Sequence, residues 1–117
     1  MEKIFEKGLL YDFYGELLTK HQQQIYEDAV FNDMSLGEIA EEAGISRQGV
    51  HDLIKRCDKA LDEYEEKLHL VERFMKAKQV VSDIIKITEA EPEVSGDRVQ
   101  EKLAEIKALS VSLLKEL

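Results

Sequence analysis

At 117 residues the chain has room for one helical core with an appended module, and not for two enzyme-sized lobes. It is 44% hydrophobic and 35% charged, with one proline and no tryptophan, which argues against a strand-and-turn protein and against disorder over most of its length. The formal charge of -9 opposes the phosphate attraction from which an ordinary DNA-binding protein draws its non-specific affinity.

In chain order, Phe5, Leu9 and Phe13, with Leu10, Tyr14, Leu17 and Leu18, recur at three- and four-residue intervals and predict an amphipathic helix over about 3–14, loosened at its end by Gly15. Thr19 with Gln22 makes a capping box for a second helix, whose stripe is Ile25, Tyr26, Ala29 and Val30 and whose stop is Asn32-Asp33. Ser35 with Glu38 repeats the box ahead of a short helix with Leu36, Ile39, Ala40 and Ala43 inward. Gly44 closes that helix, Ile45 fills the corner, and Ser46 caps a fourth helix expected to reach about residue 66, with Val50, Leu53, Ile54, Cys57, Leu61, Tyr64 and Leu68 as its apolar positions. A fifth helix follows to about Thr88. Glu91-Pro92-Glu93 and Ser95-Gly96 then mark a linker before a last helix over about 96–116.

The span from Leu36 to Lys55 carries a helix-turn-helix pattern. Ala40 stands where two helices cross closely, Gly44 lies in the turn, and Ile45, Val50 and Leu53 supply core contacts. The second helix of such a motif enters a groove about 12 Å wide. Its outer face near the N-terminal turns holds Ser46, Arg47, Gln48, His51, Asp52, Lys55 and Arg56. Arg47 is the candidate reader of guanine and Gln48 of adenine, while Lys55 and Arg56 suit phosphates. Asp52 would repel phosphate unless it accepts from a cytosine amine or pairs with Arg56 four residues on, and the pairing with Arg56 is expected. Gly49 weakens the helix locally, either for a close approach or as a tolerated soft spot.

Other chemistries lack their residues. The lone Cys57 is a packed thiol at an apolar helical position, and His21, His51 and His69 are scattered surface residues, so no metal, cofactor or catalytic site is expected. The acids Asp62, Glu63, Glu65 and Glu66 around Tyr64 read as a solvated face. Neither a secretory leader nor a long apolar span is apparent, so a cytoplasmic protein with no membrane insertion is expected.

Residues 1–67 are expected to form the helix-turn-helix domain and 68–117 a C-terminal helical extension. Leu70, Val71, Phe74, Met75, Val80, Val81, Ile84, Ile85 and Ile87 exceed the needs of a one-faced surface helix. Val99, Leu103, Ile106, Leu113 and Leu117 add a helix–helix seam. The extension is therefore expected to form a homodimer, the alternative being that its helices pack only within one chain.

Tyr11-Asp12-Phe13-Tyr14, Leu17-Leu18-Thr19, Ser35-Leu36-Gly37-Glu38-Ile39-Ala40-Glu41-Glu42 and Ile45-Ser46-Arg47-Gln48-Gly49-Val50 lie within a stretch, Leu9 to Leu70, that resembles the YlxM family of helix-turn-helix proteins. More distantly it is similar to the fourth region of bacterial sigma factors, and it weakens beyond about Phe74. The resemblance implies an all-α bundle and a DNA-binding regulatory protein linked to the signal recognition particle pathway. It leaves open an adaptor that docks the signal recognition particle GTPase or its RNA without touching DNA.

Overall fold

The structure is a computed structural model that describes residues 3–89 and 96–116. Regular structure among the described residues is helical throughout: α1 (Lys3–Tyr14), a single 3-10 turn (Gly15–Leu17), α2 (Lys20–Val30), α3 (Leu36–Ala43), α4 (Arg47–Leu68), α5 (Leu70–Glu89) and α6 (Gly96–Glu116). The linker expected at Glu91-Pro92-Glu93 lies outside the described residues.

Both capping boxes form as the sequence predicts. Thr19 Oγ1 accepts from the Gln22 N–H at 3.1 Å while Gln22 Oε1 accepts from the Thr19 N–H at 2.9 Å. Ser35 and Glu38 make the same reciprocal pair at 3.1 and 3.3 Å. Each satisfies two amide donors that a helix start would otherwise leave without partners. The stop of α2 is built on Asp28, which is buried and accepts from the side-chain amides of Gln24 and Asn32, the latter at 2.9 Å. Burial of a carboxylate is tolerable only with such donors.

The chain divides into two units, residues up to Val71 and residues from Glu72 onward. In the first, α4 is the common strut, packed by α1, α2 and α3. One apolar cluster joins Tyr14, Leu18, Tyr26, Cys57 and Leu61; another joins Ile25, Ile39, Ala40 and Val50. Tyr11 stacks on Tyr26 with ring centroids 5.5 Å apart and meets Phe31 edge-on. Leu36 and Ile45, expected inward, are 39% and 36% exposed, and Leu68 is exposed as well. They sit at the rims of their helices, turned partly to solvent.

α4 runs two residues beyond the expected end and stops at His69, whose left-handed backbone (φ 56°) stands where glycine is the usual choice. Tyr14 and Glu65 hold this corner. The Tyr14 hydroxyl donates to Glu65 Oε1 and accepts from the Leu70 N–H at 3.1 Å, while Glu65 Oε1 also accepts from the Val71 N–H at 2.9 Å. Glu65 therefore caps the first turn of α5, correcting its reading as part of a solvated acidic face.

In the second unit none of the side chains of α5 is buried, and Phe74, Val81, Ile85, Val99, Leu103, Val111 and Leu114 are all exposed. No helix among the described residues is long and apolar enough to cross a membrane.

Candidate nucleic-acid interface

The geometry starts at Gly44. Its backbone is left-handed (φ 71°), and no atom lies within 4 Å of where a Cβ would stand, so the constraint is conformational rather than steric. The N–H groups of Gly44 and Ile45 both donate to the Ala40 carbonyl, at 2.9 and 3.1 Å, reversing the chain directly after α3. Ser46 Oγ then accepts from the Gly49 N–H at 2.9 Å and opens α4. A Cβ at Gly49 would stand 3.2 Å from that same oxygen, so the soft spot in the helix is room for the cap. Ala40 and Val50, buried with Ile39 and Ile25, lock α3 against α4.

Helical rotation of about 100° per residue puts Gln48, Asp52 and Lys55 opposite the buried Val50, with Arg56 and His51 on the two flanks. Gln48, Asp52, Lys55 and Arg56 are exposed, as expected for an outer face. One expectation is corrected. Asp52 pairs not with Arg56 but with Gln48, whose Nε2 donates to Asp52 Oδ1 at 2.9 Å. The Arg47 guanidinium folds back over the first turn of α3, where a Cβ on Gly37 would stand 3.0 Å from Nη2. His51 is half-buried, with Nδ1 turned inward, without a hydrogen-bond partner and 3.8 Å from Asp52 Oδ1. Ser46 spends its side chain on the cap. Lys59, exposed one turn beyond Lys55, extends the cationic row, and the same helical spacing could have found it.

Acid surrounds this face. Glu38, Glu41 and Glu42 are exposed on α3. On the far side of α4, Asp58 is engaged by Lys7 at 3.1 Å and by the Tyr26 hydroxyl at 2.6 Å, and burial with the nearby Asp58 and Glu6 raises the Asp62 carboxyl. Cys57 is fully buried, and burial with the Asp58 charge pushes its thiol up to about 11, which leaves it protonated and inert near neutrality.

A short helix, a left-handed glycine turn and a longer helix with a polar outer face, locked by small and branched residues at the crossing, define a helix-turn-helix protein. The chain belongs to the UPF0122 family, described as "Putative helix-turn-helix protein, YlxM / p13 like", whose profile matches residues 1–106 and so reaches well beyond Phe74. A UPF0122 protein of Acetivibrio thermocellus is 54% identical over 86 residues, 74% of this chain and 74% of that protein. One from Bacillus licheniformis is 43% identical over 96 residues, 82% of this chain and 90% of its own length. A third, from a Thermoanaerobacter species, is 47% identical over 92 residues, covering 74% and 79% respectively.

Proposed function

We propose that the protein is a non-enzymatic, cytoplasmic regulator that binds duplex DNA with the N-terminal turns of α4. The observation that carries this reading is the exposed polar face of Gln48, Lys55 and Arg56, projected by a rigid glycine turn from a buried helix crossing. Arg47 and Gln48 read base edges, His51 lies at the groove wall, Lys55 and Arg56 meet the DNA backbone with their side chains, and Ser46, its hydroxyl held in the cap, meets it through its main-chain N–H. Arg47 swings off Gly37 to do so, a movement that an exposed, flexible side chain makes readily. A charge of -9 makes one copy a weak binder, so residues 68–117 serve to pair two copies and 1–67 to read.

Anisotropy titration against duplexes selected from a random pool tests this. Arg47→Ala should weaken the best duplex by about 1–3 kcal/mol, and Lys55→Ala should lower the salt slope by about one. Equal binding by wild type and Arg47→Ala on that duplex refutes the reading.

A second reading is favoured by the exposed Glu38, Glu41 and Glu42, which suit a basic protein surface better than phosphate. It is the adaptor that docks the signal recognition particle GTPase, a pathway brought in by the YlxM resemblance; docking of the particle RNA, the other form of the adaptor, meets the same acids as duplex DNA does. Capture of the purified GTPase or the particle RNA, with no duplex enriched from the pool, supports it.

A further inference from the structure

Asp52 is a misfit on a surface that meets DNA. It stands beside Gln48 and Lys55 on the outer face of α4, where its charge repels phosphate, and among the described residues its one basic neighbour within 4 Å is His51, whose Nδ1 is 3.8 Å away. What it does hold is the Gln48 amide, through Nε2 to Oδ1 at 2.9 Å. The two ends of a glutamine amide have almost the same shape and opposite hydrogen-bonding character. Turned the other way, Gln48 would bring its carbonyl oxygen against a carboxylate oxygen, so Asp52 selects one of the two orientations.

We propose that Asp52 is the positioning residue that sets the base preference of Gln48, by turning its amide so that the carbonyl oxygen leads outward; the proposal rests on the DNA-binding reading of this face. In that orientation Gln48 offers a free acceptor, Oε1, and one remaining N–H. The pair matches a base edge that carries an amino donor in the major groove, adenine N6 or cytosine N4, and opposes the keto oxygens of guanine and thymine. Without Asp52 the amide is free to turn over, and the selection between donor and acceptor edges is lost. Selectivity is thus obtained at the expense of attraction, since the same carboxylate weakens every duplex alike.

The test uses the full chain and the duplex it enriches from a random pool, varied at the base pair whose identity matters least to Gln48→Ala and most to wild type. Dissociation constants at one salt concentration compare amino-bearing with keto-bearing bases there. Wild type should prefer the amino bases by about tenfold, within the range of a good bidentate contact. Asp52→Ala should bind all versions at least as tightly while its preference falls to about twofold. Asp52→Asn, whose own amide can turn to present either oxygen or N–H to Gln48, should bind more tightly and lose most of the preference, as Asp52→Ala does. In a Gln48→Ala background, Asp52→Ala should change the preference no further. A preference that survives Asp52→Ala, or a uniform weakening with the preference intact, overturns the proposal while leaving DNA binding standing. Failure of wild type to enrich any duplex overturns the DNA-binding reading and this proposal together.

Discussion

Leu61 in α4 and Ile85 in α5 occupy similar places in apolar stripes of helical period, yet Leu61 is fully buried and Ile85 is 48% exposed. The residues up to Val71 spend their stripes on one another: α1, α2 and α3 each press an apolar edge against α4. From Glu72 onward the stripes are as regular, and α5 buries none of its side chains. The difference teaches that periodicity states which face a helix would bury, whereas burial depends on whether a partner face exists at the right distance and angle.

The sharpest way to break the comparison is to remove matched side chains. Leu61→Ala should cost about 2–5 kcal/mol in denaturant unfolding followed by circular dichroism, because a cavity opens at a site closed on all sides. A loss under about 0.5 kcal/mol, the scale of a surface change, would mean that the first unit is not a packed core. Next comes the corner at Tyr14. Tyr14→Phe should destabilise by about 1–3 kcal/mol, since it strips a partner from the Glu65 carboxylate and from the Leu70 N–H together. Unchanged stability would show that water takes over both groups.

Gly44→Ala should cost about 1–2 kcal/mol by the same measurement, as the left-handed turn penalises any Cβ although space is free around it. A neutral result would mean that the turn relaxes out of that conformation. Alkaline pH probes buried groups of the first unit. The Cys57 thiol is raised from 9.0 to about 11 and the Tyr11 hydroxyl from 10.0 to about 12, both chiefly by burial. The folded state therefore holds these protons more tightly than the unfolded chain. Their contribution is fully present below pH 9.0 and is lost as pH rises through about 11 to about 12. Unfolding midpoints should hold up to about pH 9 and fall from there to about pH 12, and the part of the fall attributable to Cys57 should vanish in Cys57→Ala.

The smallest effect is expected from Leu103→Ala in α6, where the side chain is 55% exposed. In a single copy it should change stability by less than about 0.5 kcal/mol. A larger loss that grows with protein concentration would show a second copy covering this face, and sedimentation of the full chain beside one ending at Val71 would locate the contact.

Much of the fold is legible because its signals are local. Ser35 and Glu38 find each other three residues apart on any helix start, and Gly44 marks a turn that few other residues adopt. The same locality explains the errors. Asp52 has a four-residue neighbour on either side, Gln48 and Arg56, and helical spacing alone cannot choose between them. Glu65 looked like one acid among four because its partner, Tyr14, is 51 residues away. His69 gave no clear sign of a left-handed stop, since histidine, though enriched in that backbone, adopts it in only a small fraction of its occurrences.

By itself the sequence determined the helix starts, the glycine turn, the crossing at Ala40 and Val50 and the identity of the outer face of α4, all of which follow from the 3.6-residue period and backbone chemistry within a turn or two. The tertiary structure alone decided which acids are solvent and which are structural, where α4 ends, and how the side chains of the outer face are held in the free protein. Arg47 over Gly37 and Glu65 over the first turn of α5 are contacts between elements. Their existence depends on the distances that packing of the buried faces sets, and no spacing rule along one helix contains that information.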